Sequence, residues 1–325
     1  MLKSRWIYIL ALILLGQSCQ KDVELNAIRL TGSAAMPIPV ASTTCFVHED
    51  DIYLFGGRDN QGIHHNDIWK YNTLDQTWCR MPDTPLKGRV SASACVVGDC
   101  AYIGLGFSGK VQRDTSYLCD FWEYNLITLE WRRLADFPSN TTVKNCFFAT
   151  DTTIYAVYGF NRVFTQDVYK YNIQLDAWEK VCTMCTSGVP RAMDVVGATC
   201  QSRYFVGTGF NHGSLRFWAE WMPEQQIWIA RKRILGAGRN AVACCASDKY
   251  IYIACGRHYG DTLTTGYFYN SIQRYSPETD DWEYIGSMPY EAENMVMAHV
   301  NGRIFVGLGE TSDGVIQDNW YKIED

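Results

Sequence analysis

Positive charge is in short supply: Lys and Arg number 29 against 35 Asp and Glu, a formal net charge of −6 over 325 residues. That balance argues against a surface that wraps nucleic acid and leaves room only for a local basic patch. Strong helix formers are thinly spread, whereas aromatics make up 14% of the chain. Tyr, Trp, Phe, Val and Ile favour strands, so a mostly β fold is expected. Familiar catalytic signatures are missing too: there is no glycine-rich phosphate cradle, no GxSxG elbow and no HExxH. Cys182-Thr-Met-Cys185 stands without a second CxxC or an HxxxH, which leaves no recognisable zinc set. No metal or cofactor is therefore expected. The apolar run at residues 7–15 is too short to cross a bilayer comfortably.

That run has another reading. Lys3 and Arg5 precede it and Gly16-Gln17-Ser18-Cys19 follows it, giving the charged region, apolar centre and small-residue cleavage site of an export signal. Small residues before a cysteine resemble a bacterial lipobox. On this reading residues 1–18 are a leader, Cys19 is lipidated, 19–23 form an anchored linker, and the fold occupies 24–325 in the cell envelope, touching the membrane only through its lipid. An exported chain could pair its cysteines. Yet Cys45, Cys95, Cys100, Cys146, Cys200, Cys244, Cys245 and Cys255 sit inside apolar, strand-like runs, where free cysteine packs as a small core residue.

What the chain does contain is a repeat. Tyr71 and Trp78 recur at one separation as Tyr124 and Trp131, Tyr171 and Trp178, Trp221 and Trp228, and Tyr275 and Trp282. Upstream of each pair an apolar run ends in glycine, at Gly57, Gly106, Gly159, Gly209 and Gly256, and a sixth such run ends at Gly309. A unit of about 50 residues matches the four-stranded blade of a β-propeller. The sixth copy stops before its outer strand, and a strand within residues 24–30 is expected to complete it and close the ring. The predicted fold is an all-β, six-bladed propeller with the aromatics as packing between blades.

Alternating strand direction gathers the loop after each glycine and the loop after each outer Trp on one rim. Arg89, Arg239 and Glu293 stand eleven residues past an outer Trp, Lys144 and Arg191 thirteen past, and Arg58, Arg257 and Glu310 just after glycines. Arginine forks bind carboxylates, and channel mouths are concave. This collects positive charge at one mouth and predicts an anionic ligand, a sugar acid first, held by Arg58, Arg89, Lys144, Arg191, Arg239 and Arg257. Each arginine could instead serve as mortar between blades. His258, between Arg257 and Tyr259, is the best placed histidine for acid–base work. His64 and His65 are expected to be solvated, and His48 and His299 structural.

The glycine doublet Gly56-Gly57, the polar loop, then Tyr71 and Trp78 resemble the kelch motif over residues 24–325. Exported kelch propellers include enzymes similar to N-acetylneuraminate epimerase, the sialic acid mutarotase, and the central domain of galactose oxidase is of the same type. Glu310 follows Gly309 as a Gly-Gly-Glu motif would in the epimerase family. The resemblance implies that Arg89, Arg191 or Arg239 holds the sugar carboxylate while Glu310 or His258 carries the proton. The copper ligands of galactose oxidase have no match here. The other reading is a non-catalytic surface module that binds a glycan or another envelope protein, since this fold serves both.

Overall fold

A computed structural model describes residues 27–109, 113–140, 142–183, 188–260 and 266–324. Cys19 and the leader lie outside these, as does Cys185. Six four-stranded antiparallel sheets are arranged as the blades of a propeller. Blade 1 runs outward from Thr44–His48 through Asp51–Phe55 and Ile68–Asn72 to Thr77–Arg80. Blades 2 to 5 repeat that order from the inner strands Ser93–Val97, Val143–Ala149, Val196–Cys200 and Ala243–Ala246. In blade 6 the inner strands come from the C-terminal end, and the outermost is Ile28–Arg29. Ile28 pairs with Lys322 and Arg29 with Tyr321, so the N-terminal strand closes the ring as the truncated last repeat predicts.

The repeat spacing has a direct geometric cause. Tyr71 and Trp78, Tyr124 and Trp131, Tyr171 and Trp178, Trp221 and Trp228, and Tyr275 and Trp282 are all directly opposed partners across the outer hairpin of their blade. Facing residues on a tight hairpin keep a fixed separation, and their rings lie 4.4 to 5.2 Å apart between centroids. Neighbouring blades pack on them: Tyr71 meets Phe305 and Trp320 of blade 6. The second strands are buried, as in Ile251–Ala254, because blades cover both of their faces.

At the axis a residue in the left-handed region stands at or just before the start of each inner strand: Ser42, Ser91, Lys144, Asp194, Ala241 and Asn294, with φ between 52° and 55°. Ser91 N–H donates to Ser42 C=O at 2.9 Å, Lys144 to Ser91 at 3.1 Å, Asn294 to Ala241 at 2.8 Å and Ser42 to Asn294 at 3.2 Å. In these four blades, 1, 2, 3 and 6, the unusual backbone angle turns an amide onto the preceding blade and links neighbours around the axis. It also brackets the axial channel, where a cavity of about 230 Å³ lies against Ser42, Ser91, Lys144 and Asn294 and a second of about 390 Å³ runs on past Cys95 and His299.

Ten of the described cysteines, Cys45, Cys79, Cys95, Cys100, Cys119, Cys146, Cys182, Cys200, Cys244 and Cys255, are free thiols. Burial pushes the thiols of Cys45, Cys244 and Cys255 up to about 12, which suits packing and not nucleophilic chemistry. No group of three His, Cys, Asp or Glu residues able to hold a metal occurs among the described residues.

Candidate functional site at the channel mouth

Gly309 shows how the backbone builds the mouth. At φ +85° a Cβ there would lie 2.6 Å from Glu293 O, so only glycine lets the two chains approach. Glu293 and Glu310 then exchange both backbone hydrogen bonds at 2.9 Å, which sets two carboxylates side by side. The equivalent pairings in the other blades are Ala41 with Arg58, Val90 with Phe107, Val143 with Phe160, Met193 with Phe210, and Asn240 with Arg257. Around the ring, one half of this layer is charged, from blades 5, 6 and 1, and the other half is apolar and aromatic, from blades 2, 3 and 4.

The charged half is a compact network. Arg58 Nη2 donates to Glu310 Oε2 at 2.6 Å, and Arg257 Nη1 lies 3.8 Å from Glu293 Oε1. The Arg257 guanidinium is sandwiched by Tyr259, 4.2 Å from the ring centroid, and Phe268 at 4.8 Å. Tyr259 is fixed in turn by Ser214, whose Oγ accepts its N–H at 2.8 Å. Lys144 reaches from blade 3 to blade 6, where Nζ donates to Asn294 Oδ1 at 2.7 Å, and it also pairs with Asp194 of blade 4 at 2.9 Å. Blades 3 and 6 are opposite in a ring of six, so this side chain crosses the axis and floors the mouth.

Burial, helped by repulsion from Asp194 and Glu310, raises the Glu293 pKa above the usual carboxylate value even though Lys144 and Arg257 oppose it. His64, beside Phe107, is pushed the other way by burial and then by Arg58, which favours its neutral form. The apolar half adds Tyr117 against Phe107 and Phe164 between Phe160 and Phe210.

The structure redistributes the residues expected from sequence. Arg58, Lys144, Arg257 and Glu310 meet at the mouth, but they face Asp194, Glu293 and Glu310, three cations against three carboxylates, so the mouth is balanced and not cationic. Arg89 is not there. Its side chain is 0% exposed and forks onto Asp120 at 2.7 and 2.8 Å, with Leu105 O and Lys87 O taking further N–H groups. Arg239 is equally buried, stacked 3.8 Å over Tyr269 and held by Cys255 O and Ser271. Both act as mortar. Both stand two residues before the left-handed residue of the inner strand, whereas Glu293 stands one before it, and in extended backbone neighbouring side chains point to opposite sides. Counting eleven from Trp missed that difference because the intervening loops differ by a residue.

Arg191 stands exposed on the rim with no ion pair among the described residues. His258 lies on the hairpin that pairs Arg257–His258 with Tyr267–Phe268, with Nδ1 2.7 Å from Gly238 O and its ring on Tyr267. Glu293, read from sequence as a rim residue but not as a proton carrier, is thus the carboxyl beside Glu310. Asp194 and Asn294 carried no sequence signal at all, since their role comes from a backbone angle. His65 pairs with Asp59 at 3.0 Å, His48 with Asp99 at 3.2 Å, and His299 stacks with Tyr252.

Comparison with known proteins places this geometry. The model of the KLHDC2/KLHL20/DRC7 Kelch-repeats domain matches residues 21–209, and that of the Kelch motif matches 238–289. The N-acetylneuraminate epimerase of Escherichia coli strain K12 is 24% identical over 257 residues, covering 75% of this chain and 60% of that protein. That of Pasteurella multocida strain Pm70 is 26% identical over 247 residues, covering 72% of this chain and 56% of that protein. The chain therefore spans less than two thirds of the length of these relatives. A solved structure, that of YjhT, superposes with a TM-score of 0.71 at 14% identity and covers 90% of this chain and 99% of its own. With six blades, glycine-ended second strands and opposed Tyr–Trp pairs accounted for, the chain belongs to the kelch-repeat family.

Proposed function

We propose that the mouth binds an acidic sugar and interconverts its anomers, as a mutarotase of sialic acid. The observation that carries this reading is the Glu293–Glu310 pair set between two guanidinium groups and facing an aromatic half-ring. Arg58 gives one of its N–H groups to Glu310 and Arg257 sits at a loose 3.8 Å from Glu293, so both have donors to spare for a ligand carboxylate. Phe107, Phe160 and Phe210 offer the apolar surface that the C–H face of a pyranose prefers. Mutarotation needs one proton removed and one supplied. Glu310 takes the proton of the anomeric hydroxyl as the ring C–O bond breaks, and the ring oxygen takes a proton from Glu293, whose raised pKa favours the protonated form. Closure on the other face returns both protons. The similarity to proteins named N-acetylneuraminate epimerase supports the choice of substrate.

The test is proton NMR of N-acetylneuraminic acid with the purified domain. Catalysed exchange between anomers is expected, and Arg257→Gln should weaken binding by about 1.5–3 kcal/mol through loss of a charge-assisted bond. Exchange no faster than in buffer would discard the reading. We also propose that Cys19 anchors the chain to an envelope membrane, on the strength of the lipobox-like sequence before it. Cys19→Ala should move the protein from the membrane to the soluble fraction of the cell extract, and an unchanged distribution would refute the anchor.

A further inference from the structure

We infer that a second anion site lies beside the mouth, in the cleft between blades 3 and 4, and that it takes a carboxylate-bearing sugar linked to the one in the mouth, so that the ligand is an acidic oligosaccharide. The cleft is a cavity of about 570 Å³ lined by Val189, Pro190, Leu215, Phe217, Arg216 and Arg233. Its walls are mostly apolar, and among the described residues its two charges are both positive and no carboxylate lines it. Arg191 follows Pro190 directly and leads through Ala192 and Met193 to Asp194 at the axis, so a short stretch of chain joins cleft and mouth. The loop across from it is tied in the same way, with Asn211 Nδ2 donating to Arg191 O at 2.8 Å.

These three arginines have no carboxylate partner among the described residues, which they share with Arg29 and the enclosed Arg239. Many other guanidinium groups on the blades are met by carboxylates: Arg80 by Asp67 and Asp83, Arg132 by Glu123, Arg133 by Asp136, Arg274 by Glu283, and Arg203 and Arg231 by Glu220. Arg191 and Arg233 are exposed and have no such partner among the described residues. Arg216 spends Nε and Nη2 on Ile234 O, at 3.3 and 3.0 Å, which holds the fork in place and leaves Nη1 open. A guanidinium pinned by a carbonyl keeps its full charge, so the cleft carries uncompensated positive potential over an apolar wall. That pairing of features suits a sugar acid, which brings a carboxylate and a C–H face together.

The identity of the ligand rests on the acidic-sugar reading of the mouth, while the cleft itself stands on its own residues, and the experiment separates the two. Binding of monomeric N-acetylneuraminic acid and of its α2,8-linked tetramer is measured by calorimetry for the wild type, for Arg216→Gln/Arg233→Gln, for Arg191→Gln/Arg233→Gln and for the mouth variant Arg257→Gln. The tetramer should bind the wild type about ten-fold or more tighter than the monomer, and both double variants should erase most of that advantage while leaving monomer affinity in place. Arg191 and Arg233 have no side-chain hydrogen bond or ion pair to lose among the described residues, so the second double variant guards against a folding defect. Tetramer affinity unchanged in both double variants, or no tetramer binding at all, would overturn the proposal. Tetramer binding that the double variants abolish but Arg257→Gln does not touch would uphold the cleft and count against the mouth.

Discussion

Glutamine at position 293 is expected to slow catalysed anomer exchange by about 10²–10⁴-fold, the usual range for removing a positioned proton carrier. Stability should move the other way. A carboxyl whose folded-state pKa is raised helps the fold below its unfolded pKa, and that help is lost as pH rises through the folded value. Above its unfolded pKa Glu293 is therefore a burden on the fold, arising first from burial and then from Asp194 and Glu310. Glu293→Gln should leave the unfolding midpoint unchanged or higher. The wild-type rate should fall as pH climbs through the Glu293 pKa, because the acid is then spent, and the variant should lack that limb. Glu310→Gln should lose a comparable factor in rate but gain no stability, since it gives up the bond from a half-exposed Arg58, worth about 0–1 kcal/mol. NMR exchange rates and calorimetric melts decide the matter: a Glu293→Gln protein that turns over like wild type removes Glu293 from the chemistry.

Asp120→Asn should cost about 3–5 kcal/mol, the typical result of stripping one partner from a buried ion pair. Arg89 is fully enclosed and depends on Asp120 for its charge balance. Burial alone would raise the Asp120 pKa, but the Arg89 fork and the Trp122 indole outweigh it and hold the carboxyl below its ordinary value. Such a group stabilises above its unfolded pKa and ceases to do so as pH falls through the folded one. The gap between wild type and variant, read from urea melts, should accordingly be full at pH 7 and close in strong acid. A gap of under about 1 kcal/mol at pH 7 would mean that the pair is no stronger than an exposed one. Arg239 shows the alternative within the same chain. Ser271 stands where blade 2 has Asp120, and the Tyr269 ring face takes over part of the task.

The architecture could be read from residue order because its signals are local. A fixed Tyr–Trp separation is a hairpin read lengthwise, and a glycine after an apolar run marks a backbone angle and a close contact, so Tyr171, Trp178 and Gly309 carry their structural meaning on their face. The charges do not. Whether Arg89 or Glu293 faces the mouth is decided by a one-residue difference in register, and whether Arg58 is free is decided by Glu310, distant in sequence and adjacent only once the ring is closed. Lys144 meets Asn294 across the axis for the same reason. Proximity created by closure leaves no trace in local pattern, which is why the mouth was expected to be cationic and proved to be neutral.

The same closure is made by strand pairing and not by continuous chain. Among the described residues Ile28 and Arg29 pair with the last strand, with Leu30 N–H on Trp320 O at 2.8 Å, whereas every other blade is held by continuous chain. A wheel fastened at one rivet can be cut elsewhere and riveted there instead. Joining Glu324 to Ala27 by a short linker and opening the chain in the loop between blades 2 and 3 would give a circularly permuted protein with all six sheets intact, in which Arg58 and Glu310 are brought together by covalent chain and no longer depend on edge pairing to find each other.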